Sequence, residues 1–170
     1  MLSGSQVILR PPHDRDKPSL LALRNDLPLQ MQLMTLPRGS SSQRVDEWLA
    51  KWSTDSNSLF LIIADKEQDR AVGYVQLKDM DFVHGHGELG ICLEEPAQGR
   101  GYAAEALRLL EEHARCIFNI RKIVLRVLAS HGRAIRFYEK MGYTAVGTLK
   151  EHFYQKRAYH DVLIMEKLLR

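Results

Sequence analysis

A glycine-rich stretch over residues 98–103, with the sequence QGRGYA, carries the clearest chemical signal in the chain. A strand-like run over 88–93 precedes it, and a long amphipathic helix is predicted to start near Gly101. The first N–H groups of a helix have no partner within it, and the helix dipole places partial positive charge there. Gly99 and Gly101 also let the backbone approach a ligand without a Cβ in the way. The stretch therefore predicts a turn that binds phosphate oxygens, with an ordinary strand-to-helix turn as the alternative.

Two common nucleotide-binding motifs do not fit this stretch. The second glycine is not followed by a lysine and a Ser or Thr, so the sequence gives no sign of a nucleoside triphosphate site with Mg²⁺. A dinucleotide fingerprint needs three spaced glycines and an acidic residue roughly 20 positions later, after the next strand. The stretch therefore fits neither a nucleoside triphosphate site nor a dinucleotide site.

Two side chains just before the glycine-rich stretch could take part in catalysis. Strand alternation places Glu88, Gly90 and Cys92 on one face of the run over 88–93. A carboxylate such as Glu88 can act as a general base or attract a cation, and a solvated structural glutamate is the alternative. Cys92 could act as a nucleophile. No histidine is clearly placed to activate it, so we expect a small buried thiol instead.

The remaining metal-ligating and redox-active residues predict no further chemistry. His84 and His86 lie between glycines in a turn and are expected to be solvated. Cys92 and Cys116 show neither CxxC spacing nor a surrounding cluster of His and Cys. We therefore expect no metal site and no disulfide, and a reducing compartment.

Composition predicts one domain over residues 1–170. The chain is 45% hydrophobic, and no linker rich in Pro, Gly or Ser divides it. A formal net charge of +3 and a pI near 8.9 suit a small polyanionic ligand but fall short of the charge typical of nucleic-acid binders. We expect no nucleic-acid partner. We also expect no membrane segment and a cytoplasmic location, since no leader pattern and no apolar run of about 20 residues is present.

The elements that position these residues follow from apolar periodicity. Strands are predicted over 7–9, 59–64, 72–77, 88–93, 123–128, 144–149 and 162–167, and helices around 20–23 and over 45–52, 101–118 and 130–141. The first strand should lie near a sheet edge, and 59–77 should form an antiparallel hairpin. The order strand, helix, strand over 88–128 predicts a parallel crossover. The predicted fold class is mixed α/β, with six or seven strands.

This pattern resembles the GNAT family of N-acetyltransferases. The family signature Q/R-x-x-G-x-G/A matches Gln98, Gly101 and Ala103. A second family pattern, N-x-x-A-x-x-x-Y-x-K-x-G-F/Y on the helix after the next strand, is met at Ala134, Tyr138, Lys140, Gly142 and Tyr143. Where the family usually has Asn this chain has His131, whose ring nitrogens can also form hydrogen bonds.

The resemblance implies a fold and a cosubstrate. The expected fold is a single α/β (α+β) domain with a mixed, largely antiparallel sheet of six to seven strands, about four flanking helices and a splayed central strand pair. The expected cosubstrate is acetyl-CoA, with its pyrophosphate on the N–H groups of residues 100–104 and its pantetheine arm along the strand over 89–93. The cofactor-binding residues implied in this way are Ile91, Cys92, Leu93, Gln98, Gly99, Arg100, Gly101, Tyr102, Ala103, Ala104, His131, Ala134 and Lys140.

The implied activity is transfer of the acetyl group of acetyl-CoA to a primary amine by direct nucleophilic attack. An alkylamine is protonated at neutral pH, so a base or a water relay is needed, and Glu88 is the candidate. Tyr138 is the acid implied by the family pattern, because a protonated phenol can donate to the leaving thiolate. A non-catalytic acyl-CoA-binding or regulatory module on the same fold is the alternative. A generic phosphate-binding protein is a weaker one.

The acceptor is a small-molecule amine or a peptide N-terminus on this interpretation. The chain is similar to the branch that includes ribosomal-protein N-terminal, polyamine and amino-sugar acetyltransferases. Family members often pair, so a homodimer is one state that the chain could adopt.

Overall fold

Eight strands form one sheet in the computed structural model, which describes residues 1–170. In chain order the strands are β1 (Leu2–Ser3), β2 (Val7–Arg10), β3 (Leu59–Asp65), β4 (Ala71–Asp81), β5 (His86–Leu93), β6 (Lys122–Leu128), β7 (Thr144–Gln155) and β8 (Ala158–Leu168). The helices are α1 (Lys17–Asn25), α2 (Leu27–Gln32), α3 (Ser42–Thr54), α4 (Tyr102–Phe118) and α5 (Gly132–Lys140). The strand order across the sheet is β1-β2-β3-β4-β5-β6-β8-β7.

The sheet is antiparallel except at its centre. Strands β5 and β6 pair in parallel, and α4 forms the crossover between them. Only three residue pairs form the parallel ladder, the last being Glu88 with Val124. Beyond that point both strands continue without pairing to each other. This confirms the predicted parallel crossover and the splayed central strand pair.

The two faces of the sheet carry separate hydrophobic cores because side chains alternate along each strand. The larger core packs α4 against residues such as Ile63, Ile123 and Leu125. The smaller core packs α1 and α3 against the other face, where Ile62 and Tyr74 lie. The separated ends of β5 and β6 therefore form a cleft that has helices on both faces of the sheet.

Three features extend the predicted element list. Strand β1 has only two residues, and α2 is a six-residue helix that begins with proline in its first turn. The predicted connection over 151–161 is mostly strand, since β7 and β8 form a long hairpin around Lys156 and Arg157. Both residues have positive φ, at 50° and 65°, as in a two-residue hairpin turn. Aromatic side chains on either side of this turn suit a strand better than a loop.

Candidate active site

The separation of β5 and β6 opens a cleft of ≈ 1390 Å³. Its walls come from β4, β5 and β6, from α5, and from α2 with the loop that follows it. Ten of the sequence-predicted site residues line this cleft: Glu88, Ile91, Cys92, Leu93, Gln98, Gly99, Ala103, His131, Ala134 and Tyr138. The fold thus brings together residues that are up to 50 positions apart in the chain.

The glycine-rich stretch forms a backbone cradle at the head of the cleft. Gly99 and Gly101 have φ values of 79° and 89°, a region that L side chains rarely occupy. Gly101 is the N-cap of α4, and the first helical hydrogen bond runs from Glu105 N to Gly101 O at 3.1 Å. The six successive N–H groups of residues 99–104 donate to no acceptor in the protein. Six free donors at a helix N-terminus form a site for an anion.

Side chains around the cradle hold the loop in shape. Gln98 Nε2 donates to Leu93 O at 3.1 Å and so ties the loop back to the end of β5. The Tyr102 hydroxyl donates to Asp65 Oδ2 at 2.6 Å, and the Arg100 guanidinium lies 5.0 Å from the centroid of the Tyr102 ring. Tyr102 therefore turns its side chain away from the cleft and leaves only its N–H to the cradle.

One edge of β5 is open toward the cleft. Glu94 N donates to Val72 O on β4, so backbone groups at even-numbered positions of β5 face β4. The groups of Leu89, Ile91 and Leu93 face the other way, where β6 has moved apart. An extended ligand chain can therefore pair with this edge as a strand would. Of the predicted backbone contacts, Ile91 and Leu93 point into the cleft, whereas the backbone of Cys92 points toward β4.

The Cys92 thiol is not a nucleophile. Its side chain is 3% exposed and lies in the smaller core beside Tyr74. Burial raises the pKa of the Cys92 thiol to about 12, above the lowering effect of its hydrogen bond with Tyr74. The thiol is protonated at neutral pH, and a covalent acetyl-cysteine route has no reactive sulfur.

Tyr138 lies on the inner face of α5, where it lines the cleft. Burial raises the pKa of its phenol to about 12, and no charged neighbour contributes to that shift. Its ring contacts Tyr143 edge-on, with centroids 5.8 Å apart. The phenol therefore keeps its proton throughout the neutral and mildly alkaline range.

The buried carboxylate of Glu111 fixes the position of Tyr143, the residue that contacts the ring of Tyr138. The Tyr143 hydroxyl donates to Glu111 Oε1 at 2.9 Å, and Lys167 Nζ donates to Glu111 Oε2 at 2.6 Å. These bonds join α4, β8 and the residues that follow α5. Burial, and then the negative charge of Glu111 and the hydrogen bond to it, raise the pKa of Tyr143 far above its usual value.

Glu88 lies where β5 and β6 begin to separate. Its carboxylate contacts two cations, with Lys78 Nζ at 2.9 Å from Oε1 and Arg126 Nε at 3.7 Å from Oε2. The Glu88 side chain is 20% exposed, so solvent reaches it.

His131 immediately precedes α5, as its N-cap, and lines the cleft. Burial and the charge of Arg133 lower the pKa of its imidazole, so the ring is neutral at pH 7. Its Nδ1 atom is buried and has no hydrogen-bond partner in the protein. A buried polar atom without a partner is costly, and a ligand amide or carbonyl could satisfy it.

Besides Gly101 and Tyr102, which belong to the cradle, three predicted cofactor residues do not line the cleft. Ala104 packs against the larger core and presents only its N–H to the cradle. Arg100 is exposed beside Tyr102. Lys140 is exposed in the last turn of α5 and is not among the residues that line the cleft, so its contact with the cofactor stays a prediction.

Sequence reasoning missed three cations of the cleft. Arg133 follows His131 by two residues, and its guanidinium comes within 3.9 Å of where a Cβ on Gly99 would lie. Lys78 is directly opposite Glu88 in the β4–β5 ladder, and Arg126 is two residues beyond Val124 on β6. The pairing of β4 with β5 brings in Lys78, which lies one residue beyond the strand predicted over 72–77. Arg126 depends on how β5 pairs with β6, which the sequence does not reveal.

No group of three or more His, Cys, Asp or Glu side chains is placed to hold a metal ion. None of the helices has both the length and the apolar character that crossing a membrane requires.

Comparison with known proteins identifies the architecture around this cleft. Residues 6–144 match the family model described as an acetyltransferase (GNAT) domain. The chain belongs to the GNAT acetyltransferase family. It is an N-acetyltransferase that uses acetyl-CoA as cosubstrate and a primary amine as acceptor. The resemblance inferred from the two sequence patterns is confirmed.

Several relatives of this GNAT protein are named for one substrate. It is 26% identical over 165 residues to spermidine N(1)-acetyltransferase of Escherichia coli strain K12, covering 97% of this chain and 87% of that protein. It is 28% identical over 100 residues to the Vibrio cholerae enzyme of the same name, covering 59% of this chain and 58% of that protein. The crystal structure of the Vibrio cholerae spermidine N-acetyltransferase with CoA and spermine superposes with a TM-score of 0.90 at 26% identity, covering 98% of this chain and 97% of that one.

Proposed function

We propose that this GNAT enzyme acetylates a small-molecule primary amine by direct attack within the cleft between β5 and β6. The observation that carries the proposal is the set of six unpaired N–H groups, residues 99–104, at the head of a cleft that runs to Tyr138 and Glu88. One end suits a diphosphate, and the other holds an acid and a base.

The residues present fit acetyl-CoA along the whole cleft. The cradle over 99–104 binds the pyrophosphate, and Arg133 beside Gly99 adds positive charge. The open edge of β5 at Leu89, Ile91 and Leu93 pairs with the amide groups of the pantetheine arm. The unpartnered His131 Nδ1 is a further polar contact for that arm. When bound, acetyl-CoA supplies a thioester that an unprotonated amine can attack.

Glu88 and Tyr138 manage the protons of the reaction. The acceptor ammonium must lose a proton before it can attack, and the Glu88 carboxylate takes that proton directly or through water. A new N–C bond replaces the C–S bond, and the departing sulfur takes the proton of the Tyr138 phenol. The second proton that the acceptor nitrogen loses as the amide forms restores the phenol, directly or through water, and Glu88 returns the first proton to solvent. The raised pKa of Tyr138, about 12, keeps that proton available at neutral pH.

The relatives named for spermidine make a polyamine the first acceptor to consider. Three carboxylates line the cleft, at Asp26, Glu88 and Glu95. Asp26 accepts the N–H of Leu29 at 3.0 Å and so caps α2, and Glu88 is ion-paired with two cations. Few free carboxylates remain for a polycation, so the proposal is limited to small primary amines. A peptide N-terminus stays an alternative acceptor.

The experiment that tests the proposal measures thiol release from acetyl-CoA with a panel of polyamines, amino sugars, amino acids and peptide N-termini. Product masses should increase by one acetyl group for at least one amine. The competing function, a non-catalytic acyl-CoA-binding module on the same fold, predicts acetyl-CoA binding by calorimetry without turnover of any amine.

Assembly and location belong to the same proposal. Strand β7 is a 12-residue edge strand whose outer side is mostly exposed, and such an edge can pair with a second copy of the chain. The solved Vibrio cholerae relatives include a dodecameric structure. We therefore expect self-association of this chain, with a homodimer as the smallest state. The cytoplasmic location stays a prediction.

A further inference from the structure

Positive charge exceeds negative charge on the wall of the cleft around Glu88. We define this charged cluster as Lys78, Glu88 and Arg126. The two cations share one carboxylate, at 2.9 Å for Lys78 Nζ and 3.7 Å for Arg126 Nε. The single negative charge of Glu88 can offset only one of the two positive charges of Lys78 and Arg126, so one positive charge remains.

Sheet register fixes the charged cluster at the place where an acceptor must bind. Lys78 lies directly across from Glu88 in the β4–β5 ladder. Val124 pairs with Glu88 in the β5–β6 ladder, and Arg126 follows on the same strand face. All three side chains therefore lie on the face covered by α1–α3, at the point where β5 and β6 begin to separate. That face is opposite α4 and α5, which carry the cradle and Tyr138.

The cations of the cluster have unused hydrogen-bonding capacity. The guanidinium of Arg126 makes no hydrogen bond within the protein, and its 3.7 Å contact with Glu88 is too long for one. The Arg126 side chain is 49% exposed and that of Lys78 37%. A guanidinium presents its donors as a planar fork that matches a carboxylate or a phosphate. An anionic group of a ligand can therefore bind here without breaking an existing bond.

No other carboxylate of the cleft offsets this charge. Asp26 is engaged at the N-terminus of α2, where it accepts the N–H of Leu29. Glu95 lies in the turn before Gly99, at the cradle end of the cleft. A polycation that reached Glu88 would meet Lys78 and Arg126 at close range, and like charges repel at such distances.

We infer that the preferred acceptor is a primary amine that also carries an anionic group, a carboxylate or a phosphate, close to the amine. Arg126 and Lys78 bind the anionic group, while Glu88 orients the ammonium and takes its proton. The inference rests on the proposed function, since it names the acceptor class of the same site. It departs from the polyamine for which the relatives are named.

Matched pairs of amines test the inference, because the members of each pair differ in a single anionic group. Tyrosine with tyramine tests a carboxylate, and glucosamine 6-phosphate with glucosamine tests a phosphate. Spermidine supplies the polycation. We expect kcat/KM for at least one member with an anionic group to exceed that of its partner without one by about tenfold or more, as for a hydrogen bond to a charged group.

Two variants of one residue separate recognition from general damage. Arg126→Gln should lower kcat/KM for the acceptor with an anionic group by about tenfold, mainly through KM, and change that of its partner without the anionic group by less than about threefold. Arg115→Gln is the matched control, because it removes the same charge from the exposed face of α4 and should change neither rate. Arg126→Glu should shift the preference of the enzyme toward spermidine.

A preference for the amine without an anionic group in every comparison overturns the inference. An equal loss for both members of a pair in Arg126→Gln also overturns it, since the residue would then have no role in anion recognition. Both results leave acetyl-CoA turnover intact. Failure of the proposed function is a different observation, the absence of thiol release with every amine of the panel.

Discussion

Tyr138 is the residue whose removal should separate chemistry from binding. Tyr138→Phe keeps the ring that packs on Tyr143 and removes only the hydroxyl. We expect kcat to fall by about 10- to 100-fold, because a thiolate leaving group needs only modest help from an acid. The KM for acetyl-CoA should change by less than about threefold. An unchanged kcat in steady-state assays would remove the proposed role of this phenol.

The raised pKa of Tyr138 has a consequence for the pH profile of the enzyme. A phenol with a pKa of about 12 is still protonated at pH 10, whereas an ordinary phenol would be half ionised there. The acid form is the competent one, so kcat of the wild-type enzyme should not decline between pH 7 and about pH 10, while the amine loses its proton more readily. A falling limb centred near pH 10 that disappears in Tyr138→Phe would show an unshifted phenol instead.

Single residues of the site could be predicted where a local pattern points to them. Gly99 and Gly101 were predicted as cradle residues because glycine lets the backbone approach a ligand without a Cβ in the way, and the structure also gives both a positive φ. The ion pairs of Glu88 could not be predicted in full, since Arg126 meets it only through the β5–β6 pairing. Lys140 was assigned by family position alone, and its contact with the cofactor stays a prediction.

A substitution that constrains the backbone of the turn between β5 and α4 should lower the affinity of the enzyme for acetyl-CoA. Gly101→Ala places an L residue at a φ of 89°, which costs about 1–2 kcal/mol unless the loop shifts. A shifted loop no longer aims its N–H groups at one point, so we expect acetyl-CoA to bind about tenfold more weakly in calorimetry. Gly39→Ala is the matched control, with a φ of 70° in a loop away from the cradle. Equal affinity in wild type and Gly101→Ala would place the diphosphate elsewhere.

The first turn of α4 is tied to the N-terminal segment by one carboxylate. Glu105 accepts hydrogen bonds from the N–H groups of Ser5, Gln6 and Val7 at 2.6 to 2.8 Å. Burial raises the pKa of Glu105, but the hydrogen bonds from the Ser5 hydroxyl and from these N–H groups outweigh it and bring the pKa down to about 2. This contact holds the helix whose N-terminus forms the cradle against β2.

Replacement of that carboxylate should therefore weaken the fold in a pH-dependent way. Glu105→Gln should lower the free energy of unfolding at pH 7 by about 1–3 kcal/mol, the usual cost of losing hydrogen bonds to a charged group. Because the folded pKa is depressed below the ordinary 4.5, the stabilisation is present above that value and is lost as pH falls toward 2. Urea titrations from pH 7 to pH 2 should show this acid loss in wild type and a smaller one in the variant.

An exposed glutamate on the same helix provides the control for that measurement. Glu112→Gln changes a side chain that is 64% exposed and pairs only with its neighbours in α4. Its unfolding midpoint should match that of wild type at pH 7. If Glu112→Gln lowers the free energy of unfolding as much as Glu105→Gln does, the charge on α4 explains the effect, and not the hydrogen bonds between Glu105 and the N-terminal segment.

Elements with strong periodicity were predicted well, and elements set by tertiary contacts were not. Helix α4 and the hairpin of β3 and β4 follow from apolar spacing within the sequence. Strands β7 and β8 were predicted too short, because their exposed residues lack an alternating apolar pattern. Strand pairing extends them, and pairing is a property of the sheet rather than of either segment.

On the proposed function, the two substrates bind on opposite sides of one sheet. The cradle and α5 would bind acetyl-CoA on the face that carries α4, and the charged cluster would bind the amine on the face that carries α1–α3. The splay between β5 and β6 is the opening through which the two meet. Because the parallel pair β5 and β6 separates after three residue pairs, the cleft between them is open toward both faces of the sheet.

This arrangement predicts that both substrates are bound before any bond changes. Initial rates measured while both concentrations are varied should give intersecting double-reciprocal lines, as expected when amine and acetyl-CoA form one complex with the enzyme. Cys92→Ala should retain activity within about threefold, because the buried thiol with a pKa of about 12 is not a nucleophile. Parallel lines, together with an inactive but folded Cys92→Ala variant, would instead require an acetylated enzyme and would contradict direct attack.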